Sequence, residues 1–447
     1  MIRKYRSFCG DADTVKITSI PIGQARLAYH QLSHPLSISY NICTKIIIHG
    51  SLDLDSLATS LYKLIQRNSI FRSSFRIDND GSIVKDIHSF AHIDRELVHS
   101  HGDISSAIDE INSSPYNLST GELIRFSIIP HNSHTVLLFG THHICWDAES
   151  MHIFVNQLSE EYSCTAANTL SDGNDPIDYC NSMHISDTEQ LVDSVREFYD
   201  WEPPRQDIDV IPRKVNHWEL PTREISWNMG TDPSSILLDI SKTLCVTKFS
   251  ILSSFASIAI SVISGSRFVT LGTTPSTRQT NQDFREIGFL ATPVNILTEL
   301  CPEDALNTLF YKIQESTKRA ILDSANERQY ISNTEKEETR SGLIIPDILI
   351  EYIDNFSSKS KMGGFYTEWE IYPPSASEYP LQLEIISTEE GTRAQLTYSD
   401  FIYSDKLSAL FSFTFDKLFL QAPDARIGDL DLLSDEDHTA LTDWGTG

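Results

Sequence analysis

No run of apolar residues in this chain of 447 approaches the roughly 18 needed to cross a bilayer. The amino-terminal stretch MIRKYRSFCGDADTVK carries charge but lacks the apolar core of a signal peptide. Neither a leader nor a membrane anchor is expected, and a cytoplasmic location is. Cysteine is scarce and scattered. The seven residues Cys9, Cys43, Cys145, Cys164, Cys180, Cys245 and Cys301 are odd in number and show no C-x-x-C spacing. That pattern argues against a disulfide framework or a structural zinc site and fits a reducing compartment. Basic residues are outnumbered, 35 Lys and Arg against 62 Asp and Glu, and the formal net charge of -27 is spread along the chain. Nucleic acid and anionic membrane surfaces are therefore poor partners. No P-loop and no G-x-G-x-x-G run is present, so nothing points to a nucleotide or flavin site.

What is present suffices for two cores, with 40% apolar and 10% aromatic residues. Length alone favours two domains of roughly 200 residues each. KIIIHG (45–50) reads as a strand. SLDLDSLATSLYKLIQRN (51–68) reads as a helix with Leu54, Leu57, Leu61, Leu64 and Ile65 on one face and Ser51 as its cap. Two short strands flank the turn DNDG (78–81), and HTVLLFGTHHI (134–144) is a nearly continuous apolar strand. From Ser150 the pattern is helical, with Phe154, Leu158 and Tyr162 at spacings of four. Proline, acid and turn residues dominate 165–235, with a helix expected near 187–200, and mark a crossing between domains. A helix over 242–265, a strand and loop over 267–278, a helix over 305–323, further strands and a last helix form a second α/β unit.

The stretch GTHHICWDAES (140–150) ends the apolar strand and opens the helix after it. Successive side chains of a strand point to opposite faces, so one of His142 and His143 is expected to serve a site and the other to pack inside. Adjacent histidines do not make the spacing of a metal site. A neutral histidine held by hydrogen bonds is the usual general base near neutral pH. Asp147 then either holds the imidazole or anchors the loop through an arginine. Taken alone, two core histidines and a turn aspartate would explain the motif as well.

Other segments change the weighting. IPIGQARLAY near the start, LIQRNSIFRSSF (64–75), THHICWDAES (141–150), GTTPSTR (272–278), IGFLATPVNIL (287–297) and YPLQLEI (379–385) resemble, in order, the signature segments of condensation domains of nonribosomal peptide synthetases and of hybrid polyketide synthase–nonribosomal peptide synthetases. The resemblance spans nearly the whole chain. It implies an α/β (α+β) fold of two chloramphenicol-acetyltransferase-like lobes, arranged as a V-shaped pseudo-dimer with a central tunnel. The expected division is a connector over 1–20, an amino-terminal lobe over 21–185, an inter-lobe crossing over 186–235, a carboxy-terminal lobe over 236–425 and a linker toward an adenylation domain over 426–447.

The resemblance also implies residue roles. The family motif H-H-x-x-x-D-G reads here His142, His143, Ile144, Cys145, Trp146, Asp147 and Ala148. His143 is the implied catalytic residue and His142 its packed partner. Asp147 is implied to hold the loop by a salt bridge to arginine, best matched by Arg278, with Arg67 and Arg72 secondary and in fold support. Gln24 and Arg26 match the first segment as structural residues, and Asn295 and Trp146 are candidates for the cleft wall. No metal is implied.

Ala148 replaces the motif's glycine. If glycine is there for room, alanine narrows the channel; if for a positive φ, the loop is re-aimed. FLATPVNIL also departs from the commoner FFVNTLPLR, which bears on recognition of the downstream partner.

The implied reaction is amide formation between an upstream carrier-bound acyl thioester, polyketide or peptidyl, and the amine of a downstream carrier-bound aminoacyl thioester. The implied partners are those two carrier proteins and an adjacent adenylation domain. No cofactor is bound by the domain itself, the substrates arriving on phosphopantetheine arms. The alternatives are a catalytically impaired docking module and a free-standing H-x-x-x-D acyltransferase using coenzyme A. Ser56 in LDLDSLATSL imitates a carrier attachment site, but a strand precedes it where a carrier would need a helical bundle.

Overall fold

The computed structural model describes residues 2–9, 14–18, 20–79, 81–98, 103–167, 220–229, 233–330, 346, 348–354, 356–372, 376–377, 379–388, 391–399 and 404–432. The helix expected near 187–200, most of the 186–235 crossing and residues 433–447 of the expected linker lie outside them.

Two large sheets organise the molecule. The first has seven antiparallel strands, and at its centre lie β3 (Asn41–His49), β7 (Ile124–Pro130) and β8 (His134–His142). Alternation along β8 sends Leu137 and Phe139 to one face and Val136 and Leu138 to the other. On the first face Leu57, Leu61, Leu64 and Ile65 of α2 (Leu54–Arg67) and Phe154 and Leu158 of α4 (Ala148–Ala166) complete the core. On the other, Ala107, Ile108 and Ile111 of α3 (Ile104–Ser113) do so. The sheet is thus covered on both sides, which is why β8 reads as an unbroken apolar run. Asp53, not Ser51, caps α2: its carboxylate accepts from the backbone N–H of Asp55 and Ser56. Ser56 itself lies in the first turn of α2 and donates to Asp53 at 2.5 Å.

The second sheet also has seven strands, with a parallel centre of β10 (Phe268–Thr273), β12 (Ile348–Ile353) and β16 (Leu381–Thr388). Its core is filled from α5 (Pro233–Leu244), α6 (Lys248–Ser264), α7 (Leu306–Tyr330) and α8 (Asp405–Leu418). The single helix expected over 242–265 is two, bent by 109°. Cys245 takes a positive φ of 54° between them, and Thr247 caps α6 by accepting from the Ser250 N–H.

Two segments of the carboxy-terminal half belong by packing to the first core. Strands β13 (Lys359–Met362) and β14 (Phe365–Tyr372) extend the first sheet, β14 pairing antiparallel with β3, and Met362 and Trp369 bury in the first core. Ile287, Phe289 and Ala291 of the loop between β10 and β11 (Val294–Glu299) join the same core.

Candidate active site

The site starts where β8 stops. His142, 0% exposed, is the last residue paired with β3, opposite Asn41, and its N–H donates to Leu123 O. The chain then tightens into a 3-10 turn, His143–Cys145. His143 N–H donates to Tyr40 O at 2.8 Å, Ile144 N–H donates to His142 Nδ1 at 3.1 Å, and Trp146 N–H donates to His143 O at 3.1 Å. The two histidines therefore part company: His142 is sealed in and His143 is half-buried.

Ring tautomers follow from the neighbours. A carbonyl can only accept, so the 2.6 Å contact of His143 Nδ1 with Trp146 O puts the ring proton on Nδ1 and the lone pair on Nε2. Burial pushes the His143 pKa below its ordinary value, opposed by the bond to the Trp146 carbonyl and by the Asp147 charge. His142 is held further down, first by burial and then by His143, His30 and Arg125 around it. Both rings are neutral at pH 7. The neighbouring Cys145 thiol, buried and 2.7 Å from Thr141 Oγ1, is pushed up to about 12 by burial and is not a nucleophile.

Asp147 does two jobs. It caps α4 in a reciprocal box with Ser150: Oδ1 accepts from Ser150 N–H at 2.9 Å, and Asp147 N–H donates to Ser150 Oγ at 3.2 Å. Its carboxylate also accepts from Arg278 Nη2 at 2.9 and 2.8 Å, and Oδ2 accepts from Leu290 N–H at 3.0 Å. Arg278 further donates to the carbonyls of Asp283, Glu286 and Gly288. Both members of the pair are buried, so the link is not screened by water. It fastens the 278–290 loop to the start of α4 and sets the Phe289 ring edge-to-face against His143, with centroids 5.1 Å apart.

The other residues singled out in the sequence fall as follows. Gln24, on α1 (Ile22–Ser33), is buried and donates from Nε2 to Ile144 O at 3.2 Å, holding the histidine turn from outside. Arg26 lies over the Tyr379 ring at 5.4 Å. Arg67 faces Glu161 at 3.7 Å and Arg72 donates to the His88 carbonyl, so it is Arg278 that sits on Asp147. Trp146 is not on the cleft wall. It is buried between Phe139 and Phe154, at 5.3 and 5.5 Å, because the turn directs it into the first core. Asn295 is half-buried on β11, opposite Gly272 of β10. Ala148 is the exposed first residue of α4 and has no positive φ, so alanine does not re-aim the loop.

Three contributors were not read from the sequence. Gly23 on α1 lets the helix approach the 289–291 segment: a Cβ there would stand 2.3 Å from Ala291 O and 2.7 Å from the Phe289 ring. Phe289 and Gln31 were passed over because they touch the histidines only across long sequence separations. Ser150 was legible in principle, since Asp-x-x-Ser before an apolar periodic run is a capping signal.

A condensation-domain family model matches residues 13–442. The chain belongs to that family. This condensation domain is 22% identical over 449 residues to chondramide synthase of Chondromyces crocatus, covering 95% of this chain and 11% of the synthase. It is 23% identical over 414 residues to a hybrid PKS-NRPS synthetase of Penicillium citrinum, covering 88% of this chain and 10% of the synthetase. The domain thus spans about a tenth of the length of these relatives. Among solved structures it is similar to the condensation domain of the monacolin K polyketide synthase, with TM-score 0.68, 13% identity and coverage of 92% of this chain and 99% of that one. The X-domain from teicoplanin biosynthesis gives TM-score 0.74 at 15% identity, with coverage of 94% and 99%. At such identities these structures speak for the fold, the mixed α/β, acetyltransferase-like architecture expected from the sequence.

Proposed function

We propose that this condensation domain is an acyltransferase that joins an upstream carrier-bound acyl thioester to the amine of a downstream carrier-bound aminoacyl thioester, with His143 as the catalytic residue. The amine nitrogen attacks the thioester carbonyl carbon, the C–N bond forms and the C–S bond breaks. His143 Nε2 takes the proton the amine must lose and returns one to the departing thiolate, so the ring ends neutral. The observation that carries the reading is the state of that one nitrogen: with Nδ1–H committed to Trp146 O, Nε2 holds a lone pair at a half-buried position. A thioester is already activated, so much of the acceleration lies in holding two tethered substrates in attack geometry, with proton transfer contributing on the order of 10² to 10⁴-fold. Family membership supports the two carriers, their phosphopantetheine arms and an adjacent adenylation domain as partners. His142, Asp147 and Arg278 serve as supports, and the two-lobed division about a central tunnel is the architecture that fits two substrates arriving separately.

The test is condensation in trans with loaded donor and acceptor carriers, the carrier-bound amide being followed by intact mass. Wild type gives product and His143→Ala loses at least about tenfold; equal rates would refute the assignment. The pH dependence has a definite sign. Only neutral His143 can accept a proton, and burial lowers its pKa, so kcat/KM stays flat through neutral pH and falls only below the ordinary histidine range near 6.5.

A further inference from the structure

Gln31, on the last turn of α1 and 2% exposed, is enclosed by groups that fix its amide. Its Nε2 lies 3.2 Å from Ser37 O, 3.3 Å from Tyr116 O and 3.5 Å from Pro35 O, all carbonyls that can only accept. The amide nitrogen must therefore occupy that side, and Oε1 must face His142 Nε2 at 3.2 Å. Oε1 is an acceptor, so His142 carries its proton on Nε2 and keeps a lone pair on Nδ1, where Ile144 N–H donates. The opposite tautomer would set two acceptors against each other at Gln31 and two donors at Ile144. That would remove the hydrogen bond which starts the 3-10 turn bearing His143.

We propose that Gln31 is a positioning residue. It fixes the tautomer of His142 and, through Ile144, the turn that presents His143 Nε2. The inference rests on the reading of His143 as the base. Tyr40 and Tyr116 flank the His142 ring, and His30, His143 and Arg125 are the ionisable groups whose charges bear on it, so no carboxylate among these neighbours favours a proton on both nitrogens.

The tests use the full chain. Histidine-selective 15N NMR reads the tautomer without turnover: wild-type His142 is the Nε2–H form and does not titrate between about pH 5 and 8. In Gln31→Met the Nε2–H preference weakens and kcat falls at least about tenfold with KM little changed. Gln31→Glu separates positioning from mere packing. Its carboxylate would repel the three carbonyls, whereas its acid form restores one donor and one acceptor. Its kcat should therefore recover as pH falls toward 6, a range over which wild type gains nothing. A wild-type His142 protonated on Nδ1 overturns the proposal even if both variants fail to fold. So does Gln31→Met with wild-type kcat, or Gln31→Glu with a profile parallel to wild type. Full activity in His143→Ala together with an Nε2–H tautomer at His142 would instead remove the base assignment and leave the Gln31 to His142 link standing.

Discussion

Two adjacent histidines acquire different chemistry from the bonds made at each ring nitrogen. His142 has a donor at one nitrogen and an acceptor at the other, leaving nothing for a substrate; His143 has one nitrogen committed and one open. The same logic applies to Ala148, where only a backbone demand would make glycine necessary. Its φ is not positive and its methyl is exposed at the first position of α4. Ala148→Gly is therefore expected to leave kcat/KM within about threefold, and to cost up to about 1 kcal/mol through greater chain freedom in the unfolded state. Parallel in-trans assays and thermal melts check both; a gain of tenfold or more would show that the methyl obstructs substrate. Strand alternation made the division between the histidines legible in the sequence. Which nitrogen of His143 is open was not, because Trp146 O reaches Nδ1 only once the 3-10 turn has formed.

At the scale of elements, the site is held by the junction of the α4 start with the 278–290 loop. Arg278→Ala would leave Asp147 buried without its cation, and breaking such a pair from one side costs about 3–5 kcal/mol. The variant also frees the loop that carries Phe289, so activity should drop together with stability. Urea denaturation of Arg278→Ala, Asp147→Asn and the double variant provides the check. The double should cost clearly less than the sum of the singles, since the second change removes an already orphaned group. Additive costs would show that the two side chains act independently. The capping role of Asp147 was available from its spacing to Ser150, and the arginine partner from the family resemblance. The cap of α2 shows the limit of such reading, because SLDLDS offers both Ser51 and Asp53, and either leaves Leu57, Leu61 and Leu64 on one face. Gly23 belongs to the same class: its need for a bare Cα arises from Ala291 O, 268 positions away in a segment of the other half.

For the whole molecule, composition gave two α/β units but not the exchange between them. Periodicity marks β14 as a half-buried strand and says nothing about which sheet it joins; the choice is made by the free edge of β3 and by burial of Trp369. That exchange has a thermodynamic consequence. Ile287, Phe289, Ala291, Met362 and Trp369, all from the carboxy-terminal half, lie in the first core, so opening either half exposes apolar surface of the other. The two halves should then unfold together although each has its own sheet, with far-UV circular dichroism and tryptophan fluorescence melting at one temperature. Trp369→Ala, which removes a nearly buried side chain and should cost about 3–5 kcal/mol, is the discriminating variant. If the cores are coupled, it lowers the single transition as a whole. A first-half transition that moves down while the second stays in place would mean that the β14 exchange contributes little to cooperativity.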